Sequence, residues 1–252
     1  MCQGEDNVMS VMREYWEEYK VDIPEGAEGD WTVKRFAVSE ADASFQNMRA
    51  SFSFSCRGMN IEPGTYTMLT HGGVTVMSDT PSEIRDHMDP IFKARGEVLV
   101  VGLGIGMVTA ACLNKPDVTR VTVVEMSPEV IHLVGDHLKG IYGDRLDIVE
   151  SDIFEWKPPK GRKWDVAWFD IWNNICEDNL DGMATLHRRF GRRAAWKGSW
   201  RREELLSRRR SLIKKGLMAI WKGRPIFVKR EGDPEPYLDG IEIAKGVARR
   251  LI

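Results

Sequence analysis

The chain has 252 residues, a net charge of −2, and 42% hydrophobic against 29% charged residues, so it can bury a core and is neither disordered nor fibrous. No apolar run reaches the ~18 residues of a membrane span, and the opening MCQGEDNVMS lacks the basic and apolar regions of a signal peptide, so no membrane association and a cytoplasmic location are expected. Cys2, Cys56, Cys112 and Cys176 form no C-x-x-C pair and the histidines show no metal spacing, which argues against a disulfide framework or a zinc site.

Val8, Val11, Met12, Tyr15, Trp16 and Tyr19 fall at helical spacing and predict an amphipathic first helix whose aromatic face packs on the core. After Pro24-Glu25-Gly26, strands are predicted at Trp31–Val38, Ser51–Cys56, Tyr66–Thr70 and Val74–Met77, the last two joined as a hairpin through His71-Gly72-Gly73. Thr80-Pro81-Ser82-Glu83 reads as an N-cap, a proline at the first helical position and an acid three residues after the cap. A helix through about Phe92 follows.

The next segment, Glu97 to Thr109, is a buried strand that runs into Gly102, Gly104 and Gly106 and then a helix, and Glu125 closes the following strand. Glycines let a backbone turn tightly and bring its N–H groups close to a ligand, and a carboxylate at the tip of strand two can accept both hydroxyls of a ribose. A dinucleotide fingerprint would put its third glycine at position 107, where Met107 stands. The bland alternative is a tight turn that binds nothing.

From here strands and helices alternate as in a parallel sheet: strands at 98–101, 118–125, 146–150 and 164–170, helices at 105–114 and 128–138. Right-handed crossovers place Gly102, Glu125, Ser151-Asp152 and Asp170 along the carboxyl edge of that sheet, where ligands bind. The expected fold is therefore α/β and Rossmann-like. Residues 1–80 would form an N-terminal helix plus a small β-rich region, and 81–252 a ligand-binding domain with a basic helical C-terminal part.

The G-x-G-x-G turn resembles motif I of class I S-adenosylmethionine-dependent methyltransferases, and Glu125 matches their acidic ribose ligand. The resemblance covers roughly residues 65–170. It implies S-adenosylmethionine as cofactor, held by Gly102, Leu103, Gly104, Gly106, Glu125, Met126, Asp152, Ile153 and Asp170, and a methyl acceptor that is a small molecule or a macromolecule. Asp152 would accept the adenine amine while Ile153 covers the ring; as an alternative, Asp152 caps a helix. Asp170 would orient the methionine amine or take a proton from the acceptor, and Asn173 or Asn174 would hydrogen-bond it. The bland reading has Asp170 merely ending a strand and Asp178 capping the next helix.

The hairpin and helix ahead of the glycines, Tyr66 to Asp79 and onward, resemble the layout of spermidine synthases and their methyltransferase-like relatives. The Asp-Ile-Trp loop at 170–172 and the His-Arg-Arg segment at 187–189 are similar to phage and actinobacterial methyltransferase-like proteins. Departures from the polyamine enzymes decide between chemistries. The second aspartate of their loop is Asn173 here, the hairpin glutamine is Val76, the Asp-Glu pair is Pro81-Ser82, the helix tyrosine is Arg85 and the glycine-loop acid is Ile105. A diamine needs fixed carboxylates to offset its loss of water, so aminopropyl transfer stands second to methyl transfer, and a non-catalytic S-adenosylmethionine-binding or scaffold protein third.

From Arg188 to Arg230 sixteen Lys or Arg face only Glu203 and Glu204. Between Arg188 and Arg210 the cations interleave with Phe190, Trp196 and Trp200, a composition that could track phosphates and stack on bases. The favoured alternative gives these arginines to a solvated face, or to pairing with the acidic N-terminal helix of the same chain or of a second chain in a homodimer. Beyond the fourth strand the sheet could stop. Its only further candidates are Arg193–Trp196, Leu217–Trp221 and Arg224–Lys229, the last two as a hairpin, with helices at 178–190 and 200–215.

Overall fold

The computed structural model describes residues 16–52, 61–215, 218–221 and 224–227. Most of the predicted first helix lies outside the described residues; Trp16 and Glu17 are helical and Trp16 is buried. The chain then builds an antiparallel sheet in the order β1-β2-β3-β4, from β1 (Gly26–Glu28), β2 (Trp31–Val38), β3 (Gly64–His71) and β4 (Val74–Ser78). Gly72 and Gly73, at φ 56° and 80°, make the tight turn between β3 and β4.

Between β2 and β3 the chain forms a helix, α1 (Glu40–Phe52), where a strand was expected from Ser51; residues 53–56 of that strand lie outside the described residues. The S-F-S-F-S alternation imitates a strand, but the stronger signal lies upstream. The Ser39 hydroxyl accepts the Asp42 N–H at 3.1 Å and donates to the Asp42 carboxylate at 2.6 Å, and Glu40 and Asp42 sit in the first turn with Arg49 in the last.

The helix predicted through Phe92 is two short ones, α2 (Pro81–Asp86) and α3 (Met88–Lys93), broken at His87. Pro90 has no N–H to offer the Asp86 carbonyl, and its ring needs the space a continuous helix would fill. Thr80 stands at the N-cap of α2, but its hydroxyl bonds Ser78 and Ser82 side chains instead of the helix.

The second sheet contains β5 (Gly96–Val101), β6 (Val118–Glu125), β7 (Leu146–Glu150), β8 (Trp164–Phe169) and β9 (Ala194–Ser199), all parallel, in the order β7-β6-β5-β8-β9. That order is the Rossmann arrangement, reversing direction at β5. It goes one strand beyond the fourth and, among the described residues, stops there. A separate hairpin, β10 (Met218–Trp221) with β11 (Arg224–Phe227), lies apart from it.

Connecting helices are α4 (Met107–Leu113), α5 (Pro128–Val130), a π-helical turn at Ile131–Gly135, α6 (Asp136–Tyr142), α7 (Asn179–Phe190) and α8 (Arg202–Lys214). Both faces of the sheet are buried, as the near-continuous apolar strands require. Val98, Val100, Val121 and Val123 face α4, α6 and the inner side of the antiparallel sheet through Val33, Leu69 and Met77. Leu99, Val101, Ala167 and Phe169 face Leu186 and Phe190 of α7. The antiparallel sheet thus shares one continuous core with the parallel one and roofs its carboxyl edge. Among the described residues no helix is long and apolar enough to cross a membrane.

Candidate functional site

A cleft of about 540 Å³ opens at the carboxyl edge of the parallel sheet, lined by the tips of β5, β6 and β8 beneath the β3–β4 hairpin. Its volume falls in the range of small-molecule sites. Gly102, Leu103, Gly104, Glu125, Met126, Asp152, Ile153, Asp170 and Asn173 all line it, so the residues expected to meet there do meet. Gly106 does not; it opens α4, where a Cβ would lie 2.4 Å from Leu138 of α6, and its role is packing. Asn174 is likewise not on the wall.

Two glycines are required by their surroundings. Gly102, at φ 89°, passes so close to the tip of β8 that a Cβ would stand 2.0 Å from the Asp170 carbonyl oxygen. Gly104, at φ 54°, is covered by Met77 of β4, whose sulfur would be 2.3 Å from a Cβ there. Backbone has no room to yield at the first position, whereas at the second a flexible thioether forms the wall.

Glu125 ends β6 and turns its carboxylate back over the glycine loop. Oε2 accepts the Leu103 N–H at 2.8 Å, and Oε1 accepts those of Met126 and Ser127 at 2.8 and 2.9 Å. A carboxylate offers about four acceptor positions, so one on Oε2 is left for a ligand. Beyond it Asp152 Oδ1 accepts the Phe154 N–H at 2.8 Å in a turn, with no helix following for it to cap as the alternative reading had it, and Asp152 faces the cleft. Ile153 is buried beneath, while Met126 is 70% exposed at the rim.

The other end of the cleft holds an arrangement the sequence did not announce. His87, at the break between α2 and α3, is fully enclosed, donates from Nδ1 to the Glu83 carbonyl at 2.7 Å, and reaches Asp170 Oδ2 through Nε2 at 2.6 Å. Burial alone would lower its pKa; the charge and hydrogen bond of Asp170 outweigh that and hold it up at about 9. The ring is therefore an imidazolium at neutral pH, and the Asp170 side chain is tied to it. One helical turn before His87, burial pushes the Glu83 carboxyl up to about 7 despite the nearby His87 charge. Asp86, between them in sequence, is paired with Arg201 at 2.7 Å. Arg201 follows Trp200 in the turn after β9 and is the non-glycine residue held at φ 55°.

Trp31, Trp168, Trp172 and Trp200 complete this end of the wall. Trp172 lies in the 170–179 loop, Trp168 two residues before Asp170, and Trp200 in the basic stretch already singled out by sequence. Together with Trp31 of β2 they come from segments that no local pattern connects. Glu83 and His87 at (i, i+4) ahead of Pro90 were the readable hint. Asp178 sits at the start of α7 and makes no side-chain cap bond.

The basic stretch divides. Arg201 and Arg202 pair with Asp86, Glu204 and Glu203, and Arg208 lies 3.2 Å from Glu177. Phe190 is buried among Phe169, Trp156 and Trp164, Trp196 stacks on Trp168, and Trp200 faces the cleft. These rings serve the core and the cleft, so they cannot stack on bases from the basic face. Pairing with an acidic N-terminal helix lies outside the described residues. Among the described residues no group of His, Cys, Asp or Glu could hold a metal ion.

No protein-family model matches the chain, and no curated protein does. Solved structures give partial likenesses. A spermidine synthase from Thermotoga maritima is 17% identical with a TM-score of 0.35, over 57% of this chain and 46% of that one. The N-methyltransferase NodS from Bradyrhizobium japonicum, in complex with S-adenosylhomocysteine, is 16% identical with a TM-score of 0.32, over 42% of this chain and 56% of that one. The 23S rRNA methyltransferase ErmE is 16% identical with a TM-score of 0.34, over 44% and 41%. The chain thus spans about half the length of these proteins or less. Strand order and the glycine turn define the class on their own terms: an α/β protein of Rossmann-like fold with an antiparallel sheet over its ligand edge.

Proposed function

We propose that the protein is an S-adenosylmethionine-dependent methyltransferase. One observation carries the reading: the Glu125 carboxylate stands at the tip of the second strand, fastened to the glycine loop through Leu103, with an acceptor position facing a small-molecule cleft. A ribose fits that chemistry, because one hydroxyl takes the spare position on Oε2 and the second replaces a backbone N–H. Asp152 and Ile153 line the next part of the wall as a carboxylate and an apolar floor, the pairing an adenine requires. S-adenosylmethionine bound there would supply a methyl group already activated by its sulfonium.

The chain's own contribution is then alignment and electrostatics. Gly102 and Gly104 give the methionine portion close access to backbone, and Met77 covers Gly104. Asp170 is held in one orientation by His87, which suits an anion that receives an ammonium group. Asn173 stands at the acceptor side of the same wall.

Calorimetric titration with S-adenosylmethionine, S-adenosylhomocysteine and decarboxylated S-adenosylmethionine tests the reading. The first two are expected to bind, with Glu125→Ala weakening both by about tenfold to a hundredfold, the worth of one or two charge-assisted hydrogen bonds. Preference for the decarboxylated form would instead establish aminopropyl transfer. A protein that binds none of them is a scaffold.

A further inference from the structure

The structure assembles a basic groove that no single stretch of sequence contains. The loop ahead of β8, Lys157-Pro158-Pro159-Lys160-Gly161-Arg162-Lys163, meets the end of α7 and the turn into β9. Arg162, Lys163, Arg188, Arg189, Arg192 and Arg193 line a shallow groove of about 610 Å³ with Gly161 and no carboxylate. Half of these cations are fixed by the fold. Arg189 donates to the carbonyls of Ile153, Phe154 and Trp156, Arg193 to those of Pro159 and Arg162, and Arg162 pairs with Glu97. Lys163, Arg188 and Arg192 are exposed above them, and Arg188 donates to the Thr185 hydroxyl.

Like charges gathered in one groove repel one another, and an arriving anion relieves that repulsion, with salt screening exposed charges beyond ~8 Å. A floor of guanidinium groups fixed by the fold with exposed cations at its rim matches a row of phosphates. No aromatic residue lines the groove, which removes the stacking platform that single strands use. Both contributing turns precede the strands they lead into, so the groove opens toward the amino ends of β8 and β9; it shares no lining residue with the cleft, although Arg189 is bonded to the carbonyls of Ile153 and Phe154 in the cleft wall.

We propose that this groove docks the phosphate backbone of a double-stranded nucleic acid, holding it without reading its bases. The site is separate from the cleft, and its failure leaves the proposed methyl transfer untouched.

Fluorescence anisotropy of the full chain with a labelled RNA duplex of about twenty base pairs tests this across a salt series. Binding is expected to weaken linearly in log salt and to be indifferent to sequence. The triple variant Lys163→Glu, Arg188→Glu, Arg192→Glu should lose at least about thirtyfold in affinity and reduce the salt slope by about three. S-adenosylhomocysteine affinity, read by calorimetry, should stay unchanged in the same variant. Arg210→Glu with Lys214→Glu, exposed cations on α8 outside the groove, should bind the duplex as the parent does. An unaltered duplex affinity in the triple variant overturns the proposal, as does an equal loss in the α8 pair. So does a groove that takes inorganic pyrophosphate but no duplex, which would make it a site for free phosphate.

Discussion

At the scale of single residues the inner end of the cleft is a titrating cluster, and its sign can be worked out. Both Glu83 and His87 hold their protons more tightly in the folded chain than outside it. For Glu83 the unfolded chain gives up its proton first as pH rises from about 4.5 to about 7, so stability falls across that window. The contribution of His87 is complete below about 6.5 and is lost as pH rises through about 9. The thermal midpoint should therefore decline steadily between pH 5 and 9. Glu83→Gln should flatten the lower part of the decline and Asp170→Asn the upper part, because the Asp170 charge is what keeps His87 protonated. A pH profile unchanged by either substitution would remove the cluster from the account. Gly102→Ala is a harsher case: its Cβ would stand 2.0 Å from the Asp170 carbonyl, and circular dichroism should show an unfolded or strongly destabilised protein.

Among elements, α1 and the α2–α3 break show how a local device beats a longer pattern. One side chain starts α1 by satisfying the Asp42 N–H, and Ser39→Ala should cost about 1 kcal/mol in urea unfolding, with circular dichroism as the measure. One missing N–H at Pro90 ends α2 early and leaves His87 at φ −107°, ψ 6°, facing Asp170 across the cleft. Arg201 ties the same helix down from the other side. Its guanidinium reaches Asp86 from a left-handed backbone that costs about 1–3 kcal/mol for a residue with a side chain. Elements that the sequence marks by simple burial came out with little change: β6 runs Val118–Glu125 and β7 Leu146–Glu150, and both are apolar runs bounded by clear turns.

For the whole molecule the decisive fact is a core without a seam. Trp16, Val33, Leu69 and Met77 from the N-terminal part are buried with Val98, Val100 and Val123 of the parallel sheet. The two parts predicted to divide near residue 80 are accordingly expected to unfold together. Tryptophan fluorescence and far-ultraviolet circular dichroism should trace one urea transition; two separated transitions would show that the antiparallel sheet is an independent unit. The same packing gives the cleft and the basic groove separate sets of lining residues.

Sequence alone determined the first β-α-β unit of the parallel sheet, its glycine turn and the position of Glu125, because each depends on contacts within about thirty residues: an apolar strand, a turn only glycine can make, and the next strand tip. Tertiary structure alone decided who shares the cleft. His87 meets Asp170 across 83 positions, and Arg162 joins Arg192 across a loop and a helix. Such meetings are set by crossover handedness and by how helices settle on the sheet, and a pattern of neighbours along the chain carries no record of them.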